Sequence, residues 1–220
     1  MEDKELNKNH QEIYEIFENF NKLIAKHDID YYYTGGIVIY IEKNIPLKRY
    51  HSDLDILINE DSLEKLFKII KNNSDFRIFN NLKTKRKGGH EFKILYKDYQ
   101  VSIGLILFEK NKDNVVIKKE YYYDNNNTLK EINEIYSKEI TALLFNNKTK
   151  TYHKTLYKTV TLESIYINKL ENREKDIIDK NILERIIDKQ LVEKLLKEEI
   201  KIIRKNSITN EKILNILEKN

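Results

Sequence analysis

The sequence predicts an α+β protein: a small mixed β-sheet core with flanking helices over residues 1–125, followed by a mainly α-helical half over residues 126–220. Three observations carry that prediction. Short β-branched and aromatic runs, separated by turn residues, fill much of the first half. From Leu162 onward, Ile and Leu recur at three- and four-residue steps, the rhythm of helices packed on one face. With 40% hydrophobic residues and a single Pro, the chain has the material for a real core. At 220 residues it removes roughly 70% of its unfolded surface on folding, so its 35% charged content does not imply disorder.

The elements follow in order. Ile13, Ile16, Phe17, Phe20, Leu23 and Ile24 form the apolar stripe of a first helix. Asp30 to Tyr33 is strand-like and is broken by Thr34-Gly35-Gly36, after which Ile37 to Glu42 reads as a short helix. Asp53 to Ile58 starts with polar–apolar alternation, as a half-buried strand does. Asp61 and Glu64 have capping-box spacing, and Leu63, Leu66, Phe67 and Ile70 supply the stripe of the next helix. Strands are expected at Phe76 to Phe79, Glu91 to Tyr96 and Tyr99 to Phe108, with Lys97-Asp98 as a hairpin turn that sets Glu91 near Gly104. Val115 to Tyr122 adds an edge strand. Beyond about residue 130 strand character fades, apart from an extended piece near Thr151 to Val160. Two helical stripes close the chain: Ile177, Ile178, Ile182, Leu183, Ile186 and Ile187, then Leu191, Val192, Leu195, Leu196 and Ile200.

Several function classes drop out. With no cysteine there is no disulfide, thiolate metal site or cysteine nucleophile. No apolar run reaches the roughly 18–20 residues of a membrane helix, and the first ten residues hold no apolar signal region, so a soluble, cytoplasmic protein with no membrane partner is expected. The net charge of +4 is a near balance of 40 basic and 36 acidic residues and does not mark a dedicated nucleic-acid binder. Lys83, Lys85, Arg86 and Lys87, just before Gly88-Gly89, form one basic cluster: either a solvated loop or an electrostatic guide for an anionic substrate.

The chemistry concentrates between Thr34 and Ile58. Residues two apart on a strand share a face, so Asp53 and Asp55 place two carboxylates side by side. Two like charges held that close are costly unless a cation lies between them, and hard oxygen ligands suit Mg²⁺ with substrate phosphates. Gly35 and Gly36, lacking side chains, allow a ligand's phosphates to approach the backbone.

Together these residues resemble the nucleotidyltransferase superfamily related to DNA polymerase beta, in which a glycine turn precedes an Asp-x-Asp pair on the next strand. The nearer likeness is to its aminoglycoside and lincosamide nucleotidyltransferases, whose Arg-x-His-x-Asp-x-Asp run is here Arg49, His51, Asp53 and Asp55. Lys169, Arg173, Lys175, Asp176 and Asp179 also resemble a motif in the helical half of such proteins and of abortive-infection toxin relatives. The resemblance implies transfer of a nucleoside monophosphate from a nucleoside triphosphate to an acceptor hydroxyl. Asp53 and Asp55 are then expected to hold Mg²⁺, Arg49 to neutralise charge, and Gly35, Gly36, His51, Lys169 and Arg173 to contact the nucleotide; the alternative for Lys169 and Arg173 is to face solvent and pair with Glu163 or Asp176. The acceptor is a small antibiotic-like molecule or, by the toxin likeness, RNA or protein. One departure stands out. Active relatives carry a third carboxylate on a later strand, where this chain has Ser102; Glu91 is the nearest substitute, as metal ligand or general base, with His90 beside it to orient it. The missing acid leaves open a non-catalytic nucleotide- or partner-binding descendant.

Overall fold

The computed structural model describes residues 2–80, 92–126, 128–152, 155–170, 173–197, 201–206 and 215. In chain order the elements are α1 (Glu2–Ile24), β1 (Tyr31–Thr34), α2 (Ile37–Lys43), β2 (Asp53–Asn59), α3 (Leu63–Lys71), β3 (Phe76–Asn80), β4 (Phe92–Tyr96), β5 (Ser102–Lys110), β6 (Asn114–Tyr123) and β7 (Leu129–Ser137). They continue as α4 (Lys138–Leu144), β8 (Phe145–Tyr152), β9 (Thr155–Val160), α5 (Leu162–Asn168), α6 (Glu174–Leu183), α7 (Lys189–Lys197) and β10 (Lys201–Asn206). No helix among the described residues is long and apolar enough to cross a membrane.

All strands join one mixed sheet in the order β10-β7-β6-β5-β2-β1-β9-β8, with the β3–β4 hairpin attached to β5 through β4. The expected α+β architecture is present, and α1 and α3 bury the stripes read from the sequence: Ile13, Ile16, Phe17, Phe20 and Ile24 on α1, and Leu63, Leu66, Phe67 and Ile70 on α3. Phe17 meets the rings of Tyr33 and Tyr157 at 5.0 and 5.3 Å, tying α1 to β1 and β9. On β2, Leu54, Ile56 and Ile58 are fully buried, so the alternating Asp53 and Asp55 lie on the other face.

Several local expectations change. Strand structure does not fade after residue 130: β7 to β10 all lie there. The β6–β7 hairpin carries the sheet through the position where the sequence suggested a join, and β6 is flanked on both sides rather than forming an edge. β7 escapes pattern reading because its buried positions include Glu131 and Asn133. Lys205 of β10 pairs with Glu131 at 3.2 Å, and Asn133 donates to Glu131 at 3.2 Å. Asp61 is not part of a capping box; it sits in a 3₁₀ turn, where its N–H is capped by the Asn59 side chain, and α3 starts after Ser62.

The β4–β5 register also moves. Lys97 adopts a left-handed φ of 48°, and β5 begins only at Ser102. The longer connection shifts the pairing so that Lys93, not Glu91, stands opposite Gly104. Glu91 itself, with His90, Gly88-Gly89 and the Lys83–Lys87 cluster, lies outside the described residues.

The last correction concerns α6. Ile177 and Ile178, expected in its buried stripe, are exposed, whereas Asp176 and Asp179 are completely buried. Ion pairing, described next, is the reason.

Candidate active site

A cleft of about 590 Å³ opens beside the β1–α2 turn, a volume within the usual range for small-molecule sites. Its walls include Gly35, Gly36, Arg49, His51, Asp53, Asp55, Lys169 and Arg173. Apart from Glu91, the sequence-predicted site residues are thus brought together from β1, β2, the preceding loop and the α5–α6 segment.

Asp53 and Asp55 are both half-buried on the cleft side of β2. In the antiparallel pair with β1, Asp55 stands opposite Thr34, so the strand end that leads into the glycine turn is set beside the carboxylates. Gly35 has φ +76°, a conformation costly for residues with a side chain, and a Cβ there would strike the Asp55 carboxylate. Glycine is therefore required twice over, by conformation and by contact. On the other side of β2, the parallel strand β5 sets Ser102 next to Asp53 and Gly104 next to Asp55. Ser102, the position at which the resemblance leads one to expect an acid, is thus a direct neighbour of Asp53 and holds a hydroxyl.

Gly36 lies against a different group. A Cβ there would collide with Asp179 Oδ2 and Arg49 Nη2. Arg49 donates to both oxygens of Asp179, from Nε at 3.1 Å and Nη2 at 2.6 Å, and from Nη1 to the Tyr50 carbonyl at 3.0 Å. The Tyr40 hydroxyl donates to Asp179 Oδ1 at 3.0 Å. Lys169 Nζ lies 2.6 Å from Asp176 Oδ1 and 3.2 Å from Asp179 Oδ2. Arg173 Nε donates to Asp176 Oδ2. Burial by itself raises the Asp179 carboxyl, but the Arg49 hydrogen bond and the charges of Arg49 and Lys169 outweigh it and hold the pKa below the ordinary carboxylate value. Asp176 behaves alike: burial raises it, and the hydrogen bonds from Lys169 and Arg173 bring it down. Both acids are anions that anchor α6 to the rest of the site.

This network alters what Arg49 and Lys169 do. Both line the cleft as the motifs implied, yet their donors are engaged by acids of α6. Arg173 is different, with a side chain 52% exposed at the cleft rim. Lys175, also at the rim, adds a further cation.

His51 is buried, and its ring stands edge-on to Tyr40 with centroids 5.3 Å apart. Its backbone is clamped to α1: Asn9 Nδ2 donates to the His51 carbonyl at 2.8 Å, and the His51 N–H donates to Asn9 Oδ1 at 2.9 Å. Burial, then the charge of Arg49, pushes its pKa down to about 3, so the imidazole is neutral at physiological pH. Sequence reading missed Tyr40, Asn9 and Lys93. Tyr40 and Asn9 carried no signal, because each acts on a partner far away in the chain. Lys93 was obscured by the register of its hairpin.

Among the described residues no group of three or more His, Asp or Glu side chains is placed to hold a metal ion. The Asp53–Asp55 pair does fit one divalent cation. It is an all-oxygen donor set on the cleft face of one strand, beside the backbone of the glycine turn.

A sheet of this topology, with a glycine turn and an Asp-x-Asp strand facing a cleft walled by the α5–α6 segment, is the arrangement that the sequence resemblance implies. Solved structures agree. The chain is similar to the antibiotic-resistance factor ANT(2'')-Ia in solution, with TM-score 0.51 and 10% identity over 83% of this chain and 89% of that one. It is similar to ANT(2'')-Ia in complex with adenylyl-2''-tobramycin, with TM-score 0.55 and 10% identity over 84% of this chain and 94% of that one. The lincomycin-bound lincosamide antibiotic adenylyltransferase LnuA aligns with TM-score 0.48 and 15% identity over 80% and 97% of the two chains. No protein-family model and no curated protein sequence matches the chain. The two ANT(2'')-Ia structures show that this chain shares their fold, as the sequence motifs implied.

Proposed function

We propose that this protein is a divalent-metal-dependent nucleotidyltransferase that moves a nucleoside monophosphate from a nucleoside triphosphate to a hydroxyl of a small, antibiotic-like acceptor. The observation that carries this reading is the placement of Asp53 and Asp55 on the cleft face of β2, with the Gly35 turn against Asp55. The similar ANT(2'')-Ia complex, which holds an adenylylated tobramycin, supports the choice of a small acceptor. Mg²⁺ bound at the two carboxylates supplies charge neutralisation at the triphosphate. The Gly35–Gly36 backbone lines the cleft beside Asp55, where the phosphates would lie. Arg173 and Lys175 offer positive charge at the rim to the departing pyrophosphate. Arg49 and Lys169 hold α6 in place through Asp179 and Asp176, and their positive field still faces the cleft. Catalysis of this kind is mainly positioning plus charge stabilisation, which such a site is built to provide.

A second reading follows from Ser102, which stands beside Asp53 without an ionisable group: a protein that binds nucleotide and does not turn it over. An RNA or protein acceptor rests on the likeness to abortive-infection toxin relatives, to which the Lys83–Lys87 cluster, outside the described residues, adds weight. Titrating ATP, GTP, CTP and UTP with Mg²⁺ by calorimetry tests the main reading. At least one should bind, and Asp53→Asn or Asp55→Asn should abolish that binding without loss of fold by circular dichroism. Unchanged affinity in either variant would place the site elsewhere. Tight binding without pyrophosphate release on aminoglycosides, lincosamides, tRNA or protein would favour the non-catalytic reading.

A further inference from the structure

We propose that Lys93 takes the place of a second metal ion in this cleft, so that the site works with one divalent cation, held by Asp53 and Asp55, and one fixed ammonium group. The inference rests on the nucleotidyltransferase reading above and specifies how its charge is arranged.

Registers across four adjacent strands carry it. Thr34 on β1 pairs with Asp55 on β2, Asp55 with Gly104 on β5, and Gly104 with Lys93 on β4. Directly paired residues project to the same face of a sheet, so this row sets the Lys93 side chain on the face of the Asp pair. Gly104, the residue between them, has no side chain to separate the lysine stem from Asp55. Lys93 is half-buried and lines the same cleft as Asp53 and Asp55. The alternating neighbour in β5, Ser102, offers no charge beside Asp53. Among the described residues, a second divalent cation at this end of the cleft would meet an ammonium group and no third carboxylate. Like charges sharing one partly desolvated cleft repel strongly. The same ammonium can donate charge-assisted hydrogen bonds to phosphoryl oxygens.

In the transfer step the acceptor oxygen bonds to the α-phosphorus as the bond from that phosphorus to the pyrophosphate oxygen breaks. Pyrophosphate leaves, and the hydroxyl proton passes to solvent water. Lys93 takes no part in the proton transfer and acts by charge alone.

The test counts metal and needs no acceptor. Full-length protein is saturated with α,β-methylene analogues of the four nucleoside triphosphates and titrated with Mn²⁺ by electron paramagnetic resonance. One Mn²⁺ per bound nucleotide is expected for the unaltered chain, and two for Lys93→Asp. Lys93→Met should raise the Kd of the Mn²⁺–analogue about 10–100-fold, the usual worth of a charge-assisted hydrogen bond, and Lys93→Arg should stay within about 3-fold. Two Mn²⁺ per nucleotide in the unaltered chain would overturn the proposal and point to a third carboxylate, with Glu91 first in line. An unchanged Kd in Lys93→Met would overturn it as well. Because the count on the unaltered chain is decisive, a variant that fails to fold does not blunt the test. Either failure, with analogue binding intact and lost in Asp55→Asn, leaves the nucleotidyltransferase reading standing; absence of any analogue binding sinks both.

Discussion

The Gly35–Gly36 turn lies between two acidic pairs that the fold treats in opposite ways. Asp176 and Asp179, on α6, are fully buried, and each carboxylate is met by two cations: Lys169 and Arg173 for the first, Arg49 and Lys169 for the second. Asp53 and Asp55, on β2, are half-buried and open to the cleft, and their β5 neighbours, Ser102 and Gly104, are uncharged. The buried pair fastens the C-terminal helices to the glycine turn and to the loop that carries Arg49. The cleft pair presents negative charge where a cation-bound nucleotide would enter. Residues of one chemical type thus divide into a clamp and a ligand set according to where their countercharges come from.

That contrast is open to experiment, and the largest effect should come from the clamp. Removing one partner of a buried ion pair leaves an uncompensated charge and typically costs about 3–5 kcal/mol. Asp179→Ala should lose that much in urea denaturation, since it strands Arg49 and Lys169. Asp53→Asn, at a half-buried position on the cleft, should cost less than about 1 kcal/mol while losing Mg²⁺–nucleotide binding. Equal stability losses in the two variants would break the distinction.

The two glycines sharpen it. Gly36→Ala drives a methyl group into the Asp179–Arg49 pair and should cost about 3 kcal/mol, toward the upper end for overpacking. Gly35→Ala, at φ +76°, should cost about 1 kcal/mol in backbone strain. Its clearer signature should be weaker nucleotide binding by calorimetry, because the methyl group displaces Asp55.

Acid titration probes the clamp from another side. His51 has a folded pKa of about 3 against an ordinary 6.5, so between those values the unfolded chain binds the extra proton and stability falls as pH falls. At about 1.4 kcal/mol per pH unit for one proton, the loss from pH 6.5 to 5 should be about 2 kcal/mol. Asp179 acts lower: its depressed pKa contributes stability above its ordinary value of 3.8 that is lost as pH falls through the folded value. Urea midpoints of His51→Gln should therefore decline clearly less from pH 6.5 to 5 than those of the unaltered protein, the remaining slope coming from His10, whose pKa burial also lowers. A parallel decline in both would remove His51 from the account.

Arg173 should show the smallest stability effect. Half-exposed ion pairs contribute little, so Arg173→Ala should cost less than about 1 kcal/mol. If its role is at the rim of the cleft, nucleotide affinity should fall, and the fall should shrink at high salt.

Local patterns in the chain were enough for the α1 and α3 faces, for the glycine turn, and for Asp53 and Asp55 on one side of β2. Each of these depends on residues within one or two turns or strand steps, where periodicity speaks directly. The inward face of α6 was beyond such reading. By hydropathy Ile177 and Ile178 belong inside, but the countercharge on Arg49, 130 residues away from Asp179, makes burial of the acids favourable. β7 and β10 were hidden for a similar reason, since Glu131 is buried against Lys205. The place of Lys93 opposite Gly104 depended on a left-handed Lys97 and a connection longer than a two-residue turn. The sequence by itself determined which residues could carry charge at the site. Only the tertiary structure decided which charges neutralise one another and which are left facing the cleft, because pairing energies are set by distances that no local pattern encodes.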